Sequence, residues 1–311
     1  MRYLTITLIF AAIVLTTAPT ARGWNKPGHM VSGAIAYAEL KASDPDAAKK
    51  VVEILKALPE YRRKWLPAIR RSPVGLRNHD LYVFMYAARW ADDIRETEFH
   101  CGNCHFINYP FKPDGQPGSV TTREPADINV EKTFEQKLAI VRDANSAEID
   151  KAMALAWIFH LVGDVHQPLH TSALFTTQFP NGDQGGNLIF IRTRSNANTT
   201  RLHSYWDGLV ISSESFPQVR EKADELRSRV SHRRAALGEL REKDFHDWAE
   251  RESFTAAKIH AYQMGAIQGG ADETHGEVLP SNYTFVARPL AERRMVLAGY
   301  RLADILKETF D

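Results

Sequence analysis

Hydrophobic positions fall into helical blocks along most of the chain. The run from Ala152 to Phe159 is apolar and helix-forming without interruption, which predicts a buried helix. It sits in a predicted helical pair, Val130 to Asp143 and Ser146 to Gly163. Between Asp44 and Leu58 the positions Val51, Ile54, Leu55 and Leu58 mark one apolar face, with Asp44 placed as N-cap and Pro45 in the first turn. Met30 to Leu40 is helix-like, and Pro217 to Gln263 reads as mostly helical with charges on most turns. Pro289 to Phe310 reads as a closing amphipathic helix carrying Leu290, Met295, Leu297, Ala298, Leu302 and Leu306. Strand-like pattern is confined to Leu188 to Thr193 and an extended stretch from His105 to Pro110. Lys112 to Asn129 is loop by its Pro, Gly and Asp content, and residues 59 to 88 give no clean period. No repeat of fixed period and no linker interrupts the pattern. It predicts a mainly α chain with a minor β-hairpin, folded as a single helical domain over residues 24–311.

The amino terminus carries a different signal. Arg2, the apolar run Leu4 to Leu15 and the small residues of Ala21-Arg22-Gly23 predict a secretory signal peptide over residues 1–23. The expected protein is therefore secreted or periplasmic, begins at Trp24, and has no membrane association after cleavage. Cys101 and Cys104 are the only cysteines, and in an oxidising compartment they predict a small local disulfide; free thiols or a redox or metal role are the alternatives. Asn198 and Asn282 begin N-x-T sequons that matter only in a host that glycosylates.

Charge narrows the function. With 39 basic and 38 acidic residues, the net charge is +1, so no basic surface exists to hold a nucleic acid or an anionic membrane. A polyanionic partner would need positive charge concentrated in a site. The stretch WIFHLVGDVHQPLH, from Trp157 to His170, offers the means. His160 and Asp164 are four apart and share a helix face, Pro168 bends the chain, and His170 follows. That spacing suits a metal site; a hydrogen-bonded His–Asp pair in a helical core is the plainer alternative. His203 and Asp207 repeat the four-residue interval. Asp92 and Arg95 by themselves read as a surface ion pair worth little.

Taken together, W24-x4-H29, W-A-D92-x2-R95, H105-F-I-N108, H160-x3-D164-x5-H170, the GGN loop ending at Asn187 and H203-S-x-W-D207 resemble the zinc-dependent, single-strand-specific class I nucleases. The resemblance implies a helical fold of the zinc phospholipase C and class I nuclease type, holding three Zn²⁺. One ion would be held by Asp92, His105, His160 and Asp164, and a second by His170, His203 and Asp207. A third would take the terminal amine and carbonyl of Trp24, His29 and the other oxygen of Asp164. Three Zn²⁺ against three carboxylates and a bridging hydroxide leave about two positive charges, enough to attract a phosphodiester without a basic patch. The resemblance assigns attack to a zinc-bound hydroxide, charge neutralisation on the phosphoryl group to Arg95, and base binding to Phe106 and Asn108. Asn187 is expected to line the cleft. Asp93 is expected to orient or be solvated rather than to bind metal, and His166 is the further histidine closest to the motif. The implied activity is a secreted endonuclease on single-stranded DNA and RNA giving 5′-phosphate products, and a 3′-nucleotidase on mononucleotides, with no stable protein partner. The alternatives are a zinc phospholipase C, disfavoured by the short Trp24–His29 interval and by Asp rather than Glu at 207, and a non-catalytic zinc-binding protein.

Overall fold

Helix α1 (Lys26–Ser43) is the element against which the others assemble, packing on the fourth, sixth, eighth and tenth helices. It begins earlier than the apolar pattern suggested. Asn25 caps it by accepting from Gly28 N at 2.9 Å, and Pro27 sits in its first turn, so His29 belongs to the helix. The computed structural model describes residues 24–270 and 272–311; the expected signal peptide lies outside the described residues.

Helix α2 (Pro45–Leu55) starts where its cap signal placed it, with Asp44 accepting from Ala47 N at 2.9 Å. A π-helical turn at Tyr61–Trp65, a short α3 (Leu66–Arg71) and α4 (His79–Asp93) follow. The missing period over residues 59–88 has a physical reason. Helix α4 is buried on nearly every side from Leu81 to Asp92, and a helix with no wet face shows no amphipathic alternation. Helices α5 (Val130–Arg142) and α6 (Glu148–Asp164) form the expected pair, and α6 packs on α4 as well as α5. From Ala154 to Asp164 every residue of α6 is buried.

Helix α7 (Leu202–Asp207) is short, and α8 (Phe216–Ser228) is followed by 3₁₀ turns between Val230 and Arg241 rather than continuous helix. A three-residue α9 (Phe245–Asp247) then runs into π-helical turns at Trp248–Phe254 and Ala257–Ala261. Helix α10 (Tyr283–Phe310) starts before Pro289 and carries it inside. Its buried face includes Arg294 and Arg301 besides the expected apolar positions other than Leu290, which is half-buried.

The predicted hairpin is β3 (Phe190–Arg192) with β4 (Thr200–Arg201), extended by a parallel β5 (Glu277–Val278). A second pairing was not legible in the pattern. Strand β1 (Tyr109–Phe111) pairs in parallel with β2 (Ser172–Leu174), Tyr109 opposite Ser172. With the bond from Ile107 N to His170 O (2.9 Å), it ties the segment after His105 to the turn carrying His170. Cys101 and Cys104 form the local disulfide. Among the described residues no helix is long and apolar enough to cross a membrane. The chain is mainly α, as expected.

Candidate metal centre

Three helices point their carboxyl-terminal ends at one place, and each brings an aspartate of its last two residues there. Asp92 is the penultimate residue of α4, Asp164 the last of α6 and Asp207 the last of α7. A helix carboxyl terminus carries partial negative charge, so an anion there is disfavoured by roughly 0.3–1 kcal/mol unless a cation is near. All three are buried, at 6%, 0% and 5% exposure. The fold has gathered negative charge where both burial and backbone dipoles oppose it.

Imidazoles answer that charge. Asp164 Oδ2 lies 3.0 Å from His105 Nδ1 and 3.1 Å from His160 Nε2, and those two nitrogens are 3.0 Å apart. Four ligands at about 2.0–2.1 Å in a tetrahedron would be separated by roughly 3.3 Å, so this triangle has the dimensions of a zinc-ligand face. Asp92 Oδ1 stands 4.0 Å from His160 Nε2. Asp164 Oδ1 turns the other way, 3.3 Å from His29 Nε2. His29 stacks on His160 with ring centroids 3.8 Å apart. That stack depends on Gly163: a Cβ there would stand 2.6 Å from His29 Nδ1. A third group joins His170, His203 and Asp207, with His170 Nε2 3.1 Å from His203 Nε2 and His203 Nε2 3.7 Å from Asp207 Oδ1.

The backbone decides which nitrogen faces inward. His160 Nδ1 lies 2.9 Å from Ala88 O, His170 Nδ1 2.8 Å from His105 O and His203 Nδ1 2.6 Å from Gly185 O. Each Nδ1–H donates to a carbonyl, which leaves Nε2 as a lone pair aimed into the site, the orientation a metal ligand requires. Gly185 presents its carbonyl from a left-handed conformation at φ +62°, in a loop pinned by Asp183, which accepts from Leu174 N, Gly185 N and Gly186 N. Within these groups buried atoms remain without a hydrogen bond: Nε2 of His29 and Oδ1 of Asp164, which face each other, and, on the outer edges of their rings, Nδ1 of His29 and Nε2 of His105. Buried polar atoms without partners are rare in native proteins unless an ion or water meets them. The donor set, the spacing and these orphaned atoms all fit divalent ions held by three groups: His29–His160–Asp164, Asp92–His105–His160 and His170–His203–Asp207.

Electrostatics agrees with that fit. Burial, then repulsion from His160, holds His29 below the usual imidazole range, and burial pulls His105 down to about 4. Burial would raise Asp164, but the imidazoles of His160, His170 and His105 around it outweigh that and hold it well below its usual value. Asp92 is likewise brought to about 2 by His160, His29 and Arg95 against the effect of burial. Asp207 goes the other way. Burial pushes it well above the usual range, the charges of Asp92 and Asp164 add to the shift, and the bond from Gln167 offsets only part. Arg95 also favours its carboxylate form but does not reverse the shift.

Other site residues expected from the sequence lie as follows. Trp24 is fully buried, and Asn25 N bonds Asp207 O at 3.4 Å. Arg95 and Asp92 are no surface pair: Nε and Nη2 reach Asp92 Oδ1 at 2.8 and 2.6 Å, and the side chains are 13% and 3% exposed. The end of α4 is inside the protein, a burial that local spacing cannot reveal. Asp93 pairs with Lys26 at 2.7 Å and with Arg89 at 2.9 Å, away from the imidazoles. Phe106 and Asn108 are half-buried on the segment leading into β1, where Phe106 O accepts from Val130 N. Asn187 is buried, its amide donating to Gln184 O at 2.9 Å. A cleft of about 650 Å³ opens over Asp92 and Asp207 and is lined also by Lys26, Asp93, Arg95 and Glu96; Phe106, Asn108 and Asn187 do not line it. His166 turns away from the centre toward Arg301.

Several contributors gave no separate signal. Gln167 donates to Asp207 Oδ1 at 2.8 Å, Asp183 organises the loop behind His203, and Gly163 admits the His29 ring. Only Gly163 and Gln167 lie inside the motif that drew attention, and neither is a ligand type.

Comparison with known proteins gives the same picture. The family model described as S1/P1 Nuclease matches residues 24–311. Endonuclease 1 of Arabidopsis thaliana is 25% identical over 308 residues, covering 97% of this chain and 92% of that protein. Endonuclease 2 of the same plant is 25% identical over 324 residues, covering 98% and 97%. Nuclease S1 of Aspergillus oryzae is 25% identical over 233 residues, covering 70% and 75%. With its helical frame, its clustered histidines and aspartates and this match along the whole described chain, the protein belongs to the S1/P1 nuclease family and is a nuclease with sites suited to metal ions.

Proposed function

We propose that this protein is a secreted endonuclease that binds three Zn²⁺ and hydrolyses phosphodiester bonds of single-stranded DNA and RNA to 5′-phosphate products, and that it also removes the phosphate of 3′-nucleotides. The observation that carries the reading is the approach of His170 Nε2 to His203 Nε2, 3.1 Å, while both Nδ1 atoms face carbonyl oxygens. Two lone pairs confront each other there unless a cation lies between them. Asp207, with Oδ1 3.7 Å from His203 Nε2, supplies the matching anion once the cation is bound.

In this reading Asp92, His105, His160 and Asp164 hold one ion, His170, His203 and Asp207 a second, and His29, Asp164 and the amine and carbonyl of Trp24 a third. The amine becomes available when residues 1–23 are removed. Bound zinc would polarise the phosphoryl group and lower the pKa of a water to about 7. Arg95 lines the cleft beside Asp92 and neutralises charge that grows on the phosphoryl oxygens. The half-buried Phe106 offers a ring on which an unpaired base stacks, and Asn108 bonds its edge. Stacking accepts any base but demands that it leave its pairing partner, which favours single strands over duplex. A site that grips one base and one phosphate suits a 3′-nucleotide as well. Asn187 acts on substrate only through the loop it closes.

The test sets single-stranded DNA, duplex DNA, RNA, a 3′-nucleotide and phosphatidylcholine side by side, with and without a chelator. Chelator-sensitive cleavage of the single strands and the 3′-nucleotide is expected. Hydrolysis of the lipid alone would make the protein a phospholipase, and zinc binding without hydrolysis would make it a carrier.

A further inference from the structure

The turn that carries Asp164 and His170 is gripped from behind by a largely buried ionic cluster, its two arginines buried and Glu252 half-buried, that the chemistry above does not use. Arg294 and Arg301 on α10 are 3% and 1% exposed. Glu252 lies between them, receiving Arg301 at 2.6 and 2.8 Å and Arg294 in a very short contact. The cluster then reaches the turn at three places. Ser253 Oγ donates to Val165 O, Arg294 Nε donates to His166 O at 3.3 Å, and Arg301 Nη1 donates to His166 Nε2 at 2.8 Å. His166 can accept there because its Nδ1 faces Val162 O at 2.7 Å. The next side chain, Gln167, points the opposite way and bonds Asp207. Two consecutive residues thus connect the ionic cluster on one side with the metal ligands on the other.

Stability alone is a poor reason for such a cluster. Buried ion pairs are often no more stable than apolar residues of the same volume, although removing one partner is costly. The element opposite is also unusual. Glu252 and Ser253 lie in the π-helical turn Trp248–Phe254, a distortion that recurs at functional sites and here directs both toward α10 and the turn. Arg301 also stacks over Trp248 at 4.5 Å and donates to Glu239 O at 2.6 Å, which fixes its guanidinium plane.

We propose that Arg301 and Ser253, held by Glu252 and Arg294, are positioning residues that set the conformation of residues 164–170 and thereby the affinity of the metal groups that include Asp164, His170 and Asp207. They touch no ion and no substrate. The proposal rests on the zinc reading of the site.

The test compares wild type, Arg301→Lys and Ser253→Ala as full processed proteins. Zinc affinity is read by competition with a chelator of known strength, thermal unfolding is read on the zinc-free forms, and kcat and KM are read on single-stranded DNA. Arg301→Lys keeps a charge for Glu252 but has no fork to reach His166 and Glu239 together; Ser253→Ala leaves both arginines in place. Zinc affinity is expected to fall about 10-fold, the low end of the effect of losing a direct partner of a ligand because both residues act through the adjoining turn, with kcat falling in step and KM near wild type. A loss in only one folded variant assigns the brace to that residue. Unchanged zinc affinity in the variants that fold, with only a lower Tm, overturns the proposal. If Arg301→Lys does not fold, Ser253→Ala decides. A wild-type protein that binds no zinc would instead overturn the reading of the site itself.

Discussion

Asp164 stands between His29 and His160, with Oδ1 3.3 Å from His29 Nε2 and Oδ2 3.1 Å from His160 Nε2. One carboxylate therefore faces two imidazole groups, one from α1 and one from its own helix. Replacing it by Asn keeps the volume but removes the charge and one acceptor. Asp164→Asn is predicted to lose two zinc ions per chain and at least about 10²–10³-fold in kcat, the scale of losing a principal electrostatic group. Metal analysis of the purified variant beside its kinetics checks this; loss of a single ion would show that Asp164 does not serve both groups.

Arg95 makes a narrower case because it contacts Asp92. Arg95→Ala is predicted to lower kcat about 10²–10³-fold by removing a donor to the transition state, with zinc content held. Zinc lost in proportion to activity would make Arg95 a support for Asp92 instead.

Gly163 offers a steric test. Gly163→Ala puts a methyl group 2.6 Å from His29 Nδ1, between a helix backbone and a ring stacked on His160. Overpacking of this kind typically destabilises by about 1–3 kcal/mol. A lower Tm together with loss of the ion at His29 is expected; a variant with normal zinc content would show that His29 is not needed to hold it.

A pH effect is expected away from the centre. His246 Nδ1 lies 3.2 Å from Glu131, which also accepts from Tyr109 at 2.6 Å, and its Nε2 lies 3.2 Å from Glu250. Burial is the largest single influence and lowers its pKa, but the hydrogen bond and charge of Glu131, then Glu250 and Asp244, together outweigh it and raise it above 6.5. A pKa raised on folding gives stability that is complete below the unfolded value and disappears as pH rises through the folded one. The Tm advantage of wild type over His246→Gln, measured without zinc, should therefore be greatest near pH 5 and vanish in alkali. An advantage that grows with pH would reverse the assignment.

Much of this was readable in the chain because the information is local. Asp44 and Pro45 mark a helix start, the apolar face of α2 follows the helical period, and His160, Asp164 and His170 lie within one motif. What was hidden depends on partners far away in sequence. Arg301 on an amphipathic helix looks like a solvent-facing charge until Glu252 and His166 meet it, 49 and 135 positions away. The parallel pairing of β1 with β2 carries no turn signature, since parallel strands are joined by long crossovers. Helix α4 concealed its own period by being buried all round, and with it the burial of the Asp92–Arg95 pair.

The most direct measurement is the anomalous X-ray difference map of the processed protein at the zinc absorption edge. Three peaks are predicted: one among Asp92, His105 and His160, one between His29 and Asp164, and one among His170, His203 and Asp207. A map with no peak at these groups, or with a single ion in place of three, would contradict the account.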